Sequence, residues 1–85
     1  MIRSESNAIA DDVLPLVLDT AQSLLGKTVQ PSDNFFLVGG DSMRAVEMMN
    51  TLEDRFGAEF DPTSIIDAED MAALAMSLHN QLWES

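Results

Sequence analysis

Apolar residues recur at intervals of three and four in three segments of the chain, and this spacing most constrains the fold. In the first segment the residues are Leu14, Val17, Leu18, Ala21, Leu24 and Leu25, and in the last they are Met71, Leu74, Ala75, Leu78 and Leu82. Such intervals bring side chains to one face of an α-helix. A chain of 85 residues holds one hydrophobic core. We therefore predict an all-α domain.

Helix caps and stops divide this domain into three longer helices and one short helix, a four-helix bundle. The predicted starts and stops are Asp11 or Asp12 and Gly26 for the first helix, Asp41 or Ser42 and Gly57 for the second, and Asp70 for the start of the last. Pro62 is predicted to begin the short helix, with Ile65 and Ile66 facing inward. Trp83 is expected to close the end of the core.

The second helix carries a broader apolar stripe than the others. The stripe consists of Met43, Val46, Met49 and Phe56, widened by Met48 and Leu52. Before this helix lies a long loop, residues 27–40, in which the segment FFLV (residues 35–38) is predicted to be a buried anchor. Around these elements we predict a flexible tail at residues 1–7, the domain at 8–83 and a C-terminal end at 84–85.

Composition excludes several classes of function. Fifteen acidic and four basic residues give a net charge of −11, which repels nucleic acid and anionic lipid. This charge either favours basic protein surfaces or merely keeps the protein in solution. The absence of cysteine excludes disulfides and thiolate metal ligands. No signal peptide or membrane-length apolar run is visible, and no window fits a calcium-binding loop. We expect a cytoplasmic monomer without a metal site or a membrane partner.

The segment VGGDSMR (residues 38–44) allows three interpretations of its serine. Ser42 could be a hydrolase nucleophile, a helix cap or a hydroxyl that another enzyme modifies. A nucleophile elbow requires glycine where this chain has Arg44, and His79 is the single histidine. The hydrolase interpretation is therefore disfavoured, whereas a cap and a modification site remain.

Residues 33–57, DNFFLVGGDSMRAVEMMNTLEDRFG, resemble the core of the carrier protein family, which comprises acyl carrier proteins and peptidyl carrier (thiolation) domains. The matching residues are Asp33, Phe35, Phe36, Gly39, Gly40, Asp41, Ser42, Met43, Val46, Glu47, Leu52, Glu53, Phe56 and Gly57. The helix spacing on both sides agrees as well, so the resemblance extends over roughly residues 9–82. It implies a non-catalytic protein with the carrier fold.

The resemblance also implies a cofactor and a modification site. A phosphopantetheinyl transferase would attach phosphopantetheine from coenzyme A to Ser42, beside Asp41 and Gly40. The thiol of that arm would carry acyl, aminoacyl or peptidyl groups as thioesters. Ser42 at a helix N-terminus suits an attached phosphate, and the glycine pair would leave the approach uncluttered.

A docking surface is expected beside the modification site. Met43 and Val46 would form an apolar patch, although both could equally pack in the core. Glu47 and Asp54 lie seven residues apart on one face of the second helix, where partners would bring basic residues or where the face is merely solvated. The partners implied are the transferase, a loading enzyme and downstream synthase or condensation enzymes.

Arg44 departs from the pattern of fatty-acid carriers, which usually place an acidic residue at this position. The Gly-Gly-Asp-Ser form and the stretch PTSIIDAEDMAAL (residues 62–74) also resemble peptidyl carriers and modular polyketide carriers more than fatty-acid carriers. We therefore favour a polyketide or nonribosomal peptide pathway. The alternative is an acidic helical interaction module that has the carrier fold and is never modified.

Overall fold

Four helices form the structure, a computed structural model that describes the backbone of residues 2–84 and the side chains of residues 13–82. In chain order they are α1 (Ile2–Leu25), α2 (Ser42–Phe56), α3 (Thr63–Asp67) and α4 (Met71–Glu84). Three longer helices and one short helix confirm the predicted all-α bundle. The side chain of Trp83, expected to close the core, lies outside the described residues.

The first helix begins earlier than predicted. It starts at Ile2 rather than at Asp11 or Asp12, so both aspartates lie inside α1, and residues 2–7, predicted as a tail, are helical. Aspartate prefers helix caps, but a helix interior accepts it at a small cost. No glycine or proline before Pro15 interrupts the helix. Pro15 itself lies inside α1 and lacks the amide N–H for one intrahelical hydrogen bond.

The hydrophobic core lies where α1 packs against α2 and α4. From α4 it takes Met71, Leu74, Ala75 and Leu78, which confirms the predicted stripe, with Leu82 at its edge. From α1 it takes Val13, Val17 and Ala21, with Leu14, Leu18, Leu24 and Leu25 at its edge. A stripe of this kind stabilises the fold because each apolar side chain leaves water on packing.

The buried face of α2 differs from the predicted stripe. Ala45, Met48, Met49 and Leu52 are buried, whereas Met43 and Val46 are 75% and 60% exposed. Two apolar rows run along α2, and the sequence pattern does not distinguish which row meets α1. The exposed row is therefore available beside Ser42.

Only one of the two isoleucines of α3 faces inward. Ile65 is 2% exposed and Ile66 is 64% exposed, so the prediction for Ile66 is wrong. Successive helix residues point about 100° apart, so a single short helix cannot bury both. α3 packs against α4.

Within residues 2–84, no helix has the length and apolar character needed to cross a membrane.

Candidate functional site

The loop before α2 is anchored by the aromatic segment at residues 35–38. Phe35 is 2% exposed, and its ring meets the ring of Phe36 edge-on at 5.4 Å between centroids. These residues form turns rather than a strand, and of the four residues predicted to be a buried anchor only Phe35 is fully buried, with Phe36 and Val38 half-buried. Leu37 points the other way and is 86% exposed, so the anchor does not include it.

Asn34 holds this loop in place, a role that the sequence did not reveal. Its Oδ1 accepts hydrogen bonds from the amides of Phe36 (2.9 Å) and Leu37 (3.1 Å). Its Nδ2 donates to the carbonyl of Glu69 at 3.0 Å, just before α4. Asparagine is common in turns because its side chain can bond to nearby backbone amides in this way. The second contact crosses 35 residues of chain, and no local signal could indicate it.

Close packing against Phe35, rather than access to Ser42, explains why residue 40 is a glycine. Its amide donates to the carbonyl of Phe35 at 2.9 Å. A Cβ at Gly40 would fall among the ring carbons of Phe35, including Cζ at 2.8 Å. Only glycine fits this close approach without displacing the ring. The glycine thus lets the buried phenyl ring support the loop directly before Asp41.

Asp41 caps α2 and Ser42 is its first residue, as predicted. The Asp41 Oδ1 accepts a hydrogen bond from the amide of Arg44 at 2.8 Å, and its carbonyl accepts one from Ala45 at 2.9 Å. Ser42 itself is exposed. The cap is therefore provided by Asp41, which leaves the hydroxyl of Ser42 without a capping role.

A phosphate attached to the Ser42 oxygen fits this helix start. The first amides of any helix lack intrahelical acceptors, and Asp41 uses only the one from Arg44 with its side chain. The amides of Ser42 and Met43 lie at the N-terminal end of α2, in a stretch of exposed residues. Such amides, together with the helix dipole, favour an anionic group. The residues present therefore fit a phosphodiester on Ser42.

An open cavity of about 350 Å³ begins at Ser42 and follows α2. Its α2 wall is formed by Ser42, Ala45, Val46, Met49, Asn50 and Glu53. The opposite wall is formed by Phe36, Phe60, Pro62, Ile65 and Ile66. At about 1.5 Å per residue, the α2 wall extends about 16 Å from Ser42 to Glu53. The cavity is thus a mostly apolar groove with the serine at one end.

Four exposed apolar side chains lie on the elements around the serine. They are Leu37 in the loop, Met43 and Val46 on α2, and Ile66 on α3. Met43 and Val46 were predicted to form an apolar patch beside Ser42, and their exposure excludes the alternative that they pack in the core. Leu37 and Ile66 were missed because Leu37 belongs to the run FFLV, which was predicted to be buried, and Ile66 to a pair that was predicted to face inward. We call these four residues the apolar patch.

The charged residues predicted for docking are exposed, but they do not form one cluster. Arg44 and Glu47 are both about half exposed and approach to 3.8 Å, a loose ion pair within α2. Asp54 lies two helical turns beyond Glu47 and is also exposed. A pair of this kind contributes little to stability. These side chains are therefore free to meet charges on another molecule.

The geometry further disfavours a serine hydrolase. His79, the single histidine of the chain, is half-buried on α4, whereas the cavity at Ser42 is lined by α2, the aromatic loop and the α3 segment. A nucleophilic serine requires its base within hydrogen-bond reach. His79 is not part of this site.

Comparison with known families identifies the family of this chain. The family model described as the phosphopantetheine attachment site matches residues 15–77, which include the loop, α2 and α3. The chain belongs to the phosphopantetheine-binding carrier proteins. Members of this family are not catalysts in general, and phosphopantetheine is their covalent prosthetic group, attached to a serine.

The carrier is similar in sequence to parts of much larger proteins. It is 40% identical over 68 residues to a carboxylic acid reductase of Mycobacterium tuberculosis, covering 74% of this chain and 6% of that protein. It is 34% identical over 58 residues to a hybrid polyketide–nonribosomal peptide synthetase of Thermothelomyces thermophilus, covering 68% of this chain and 1% of that protein. The chain therefore spans a small part of these relatives.

A solved structure shares the fold of this carrier. It is a type-II acyl carrier protein of Streptomyces verticillus involved in bleomycin biosynthesis, with a TM-score of 0.76 and 23% identity. The similarity covers 94% of this chain and 93% of the other. The predicted carrier-type bundle is thereby confirmed.

Proposed function

We propose that Ser42 is the residue of this carrier that bears phosphopantetheine. The observation that carries the proposal is the position of Ser42, exposed at the first residue of α2 and at the end of the cavity. A second protein can reach this hydroxyl without unfolding any element. The bound group supplies a thiol on which cargo is held as a thioester.

Asp41 and Gly40 present the serine rather than react with it. Asp41 fixes the start of α2 through the amide of Arg44. Gly40 lets the loop close onto the ring of Phe35. In the modification we propose, the Ser42 hydroxyl loses its proton and displaces adenosine bisphosphate from coenzyme A, which leaves a phosphodiester at the helix start. A phosphopantetheinyl transferase is the enzyme required for this step.

The cavity along α2 is the proposed shelter for the cargo. Its α2 wall extends about 16 Å from Ser42, so an arm attached to Ser42 that folds along this wall would keep its thiol and cargo against the groove. Its walls are mainly apolar, with Asn50 and Glu53 as the polar members farthest from Ser42 along α2. Shelter of this kind keeps a thioester away from water, because apolar groups on the cargo replace solvent in the groove.

The apolar patch and the acidic face of α2 form the proposed docking surface. Leu37, Met43 and Ile66 are exposed on the loop, α2 and α3, and Glu47 and Asp54 are exposed farther along α2. Interfaces combine an apolar centre with charged rims that steer association. Partners with basic residues around an apolar contact would fit, with an acidic group opposite Arg44. We assign these partners to the loading, synthase and condensation enzymes of a polyketide or nonribosomal peptide pathway.

Mass spectrometry of the intact chain tests the attachment site. The chain is incubated with coenzyme A, Mg²⁺ and a promiscuous phosphopantetheinyl transferase. We expect the wild type to gain one phosphopantetheine and Ser42→Ala to gain none. Ser32→Ala, which removes another exposed loop hydroxyl, should be modified like the wild type.

Two results would contradict the proposal. Modification of Ser42→Ala would move the attachment to another residue. An unmodified wild type, shown to be folded by circular dichroism, would instead favour an interaction module that keeps the carrier fold.

A further inference from the structure

The position of α3 depends on α4, although α3 forms a wall of the cavity. α3 has five residues, too few for a helix that is stable by itself. It packs against α4, and the cavity lies between α3 and α2. What fastens α3 to α4 therefore also determines the width of the cavity.

A cluster of polar side chains fastens the first turn of α3. The carboxamide of Gln81 on α4 uses both of its ends. Its Oε1 accepts a hydrogen bond from the amide of Asp61 at 2.7 Å. Its Nε2 donates to Ser64 Oγ at 2.7 Å and to Ser77 Oγ at 3.2 Å. One side chain thus holds the chain before Pro62 and the helix after it.

The bonds to Ser64 and Ser77 lie in the more buried part of the cluster, whereas the bond from the amide of Asp61 is exposed. Ser64 is 7% exposed, and its hydroxyl also lies 3.5 Å from the hydroxyl of Ser77. A buried hydroxyl that loses its partner costs more than the bond itself contributes. The turn that Gln81 holds carries Pro62, a wall residue of the cavity, whereas the neighbouring wall residues Phe60 and Ile65 are held by their own burial.

We propose that Gln81 is a positioning residue that fixes the first turn of α3 and thereby sets the cavity wall facing Ser42. Gln81 does not line the cavity and acts through Asp61 and Ser64. Apolar burial of Ile65 holds the middle of α3, and Gln81 holds its beginning. Without Gln81, the wall would pivot on Ile65 and the cavity would open to water. The role in sheltering cargo rests on the proposed function of Ser42.

Hydrogen exchange of the unmodified protein tests the fastening itself. The variant is Gln81→Met, which keeps length and helix propensity but removes both hydrogen-bonding ends. We follow the amides of Ser64 and Ala68, which bond to carbonyls within the α3 segment and not to Gln81. Their exchange should become about tenfold faster, relative to the amide of Leu74 in α4. Gln30→Met, the same change in an exposed loop, should leave the ratio unchanged.

Thioester cleavage tests the effect on the cavity. Wild type and Gln81→Met are loaded from octanoyl-coenzyme A, and cleavage by hydroxylamine is followed by intact mass. Cleavage should be several-fold faster in Gln81→Met than in the wild type and in Gln30→Met.

The outcomes separate this proposal from the proposed function. An unchanged exchange ratio in Gln81→Met would overturn the proposal, and so would faster exchange without faster thioester cleavage. If the wild type cannot be loaded on Ser42, the proposed function fails, while the exchange experiment still decides whether Gln81 fastens α3.

Discussion

At the scale of single residues, the site is organised by a contact between a glycine and an aromatic ring. Phe35 is buried, and Gly40 folds back onto its ring and bonds to its carbonyl. Asp41 and Ser42 follow at once, so the start of α2 inherits its position from this contact. A side chain at Gly40 would have to displace the ring.

Gly40→Ala should therefore destabilise the protein by overpacking. We expect a loss of about 1–3 kcal/mol in the free energy of unfolding, measured by urea denaturation. Gly40 does not adopt a positive φ, so backbone strain does not contribute. Phe35→Leu should recover part of the loss in the double variant, because the smaller side chain leaves room for the new methyl group. Additive effects of the two changes would contradict this explanation.

At the scale of elements, α3 depends on its first turn for stability. Asp61 accepts hydrogen bonds from the amide (3.0 Å) and the hydroxyl (2.9 Å) of Thr63. The backbone bond first, and the hydroxyl bond second, lower the pKa of Asp61 below its ordinary value of 3.8. Both bonds favour the ionised carboxylate. The turn is thus held locally by Asp61 and across the molecule by Gln81.

Thr63→Val should raise the pKa of Asp61 towards its ordinary value without reaching it, because the backbone bond remains. A lowered pKa in the folded state gives stability that is present above the unfolded pKa and lost as pH falls through the folded pKa. The variant should therefore lose stability at neutral pH, and this difference should disappear in acid.

Carboxyl titration by NMR and urea unfolding at both pH values measure this effect. Thr28→Val, at an exposed threonine of the first loop, is the matched control and should leave the pKa of Asp61 unaltered. An unchanged pKa in Thr63→Val would show that the hydroxyl bond is absent in solution.

At the scale of the whole molecule, charge decides which partners approach and where. A net charge of −11 attracts basic proteins from every direction, whereas the proposed function requires contact at the end of α2 that bears Ser42. Glu47 lies about 7 Å along the helix from Ser42. Glu59 follows the opposite end of α2 and is exposed. Substitutions at Glu47 and Glu59 therefore distinguish the effect of charge near Ser42 from the effect of the net charge.

Glu47→Lys and Glu59→Lys each change the net charge by two, from −11 to −9. We expect Glu47→Lys to slow modification of Ser42 about tenfold at low salt, because it places a positive charge beside Arg44 on the docking surface. Glu59→Lys should slow it less than twofold. Initial rates of phosphopantetheine transfer at low and high salt measure both. Equal slowing by the two variants would mean that overall charge, rather than the α2 face, guides the partner.

The sequence by itself determined most of the helices and the place of Ser42 among them. Apolar spacing defined α4 and most of the core face of α1, and the predicted start at Asp41 or Ser42 placed Ser42 at the beginning of α2. These predictions succeed because each depends on residues within a few positions of one another, whose contacts follow from helix geometry. The resemblance carried by residues 33–57 then gave the family, which residues 15–77 confirm.

Only the tertiary structure decided which apolar residues stay exposed and what holds the site together. Val46 and Met49 are both apolar and three residues apart on α2, yet one is exposed and the other buried, because α1 covers one row of the helix. The contact of Gln81 with Asp61 and that of Asn34 with Glu69 join residues 20 and 35 positions apart, and no local pattern indicates either contact. Contacts between distant segments depend on how the helices pack, and local spacing carries no information about them.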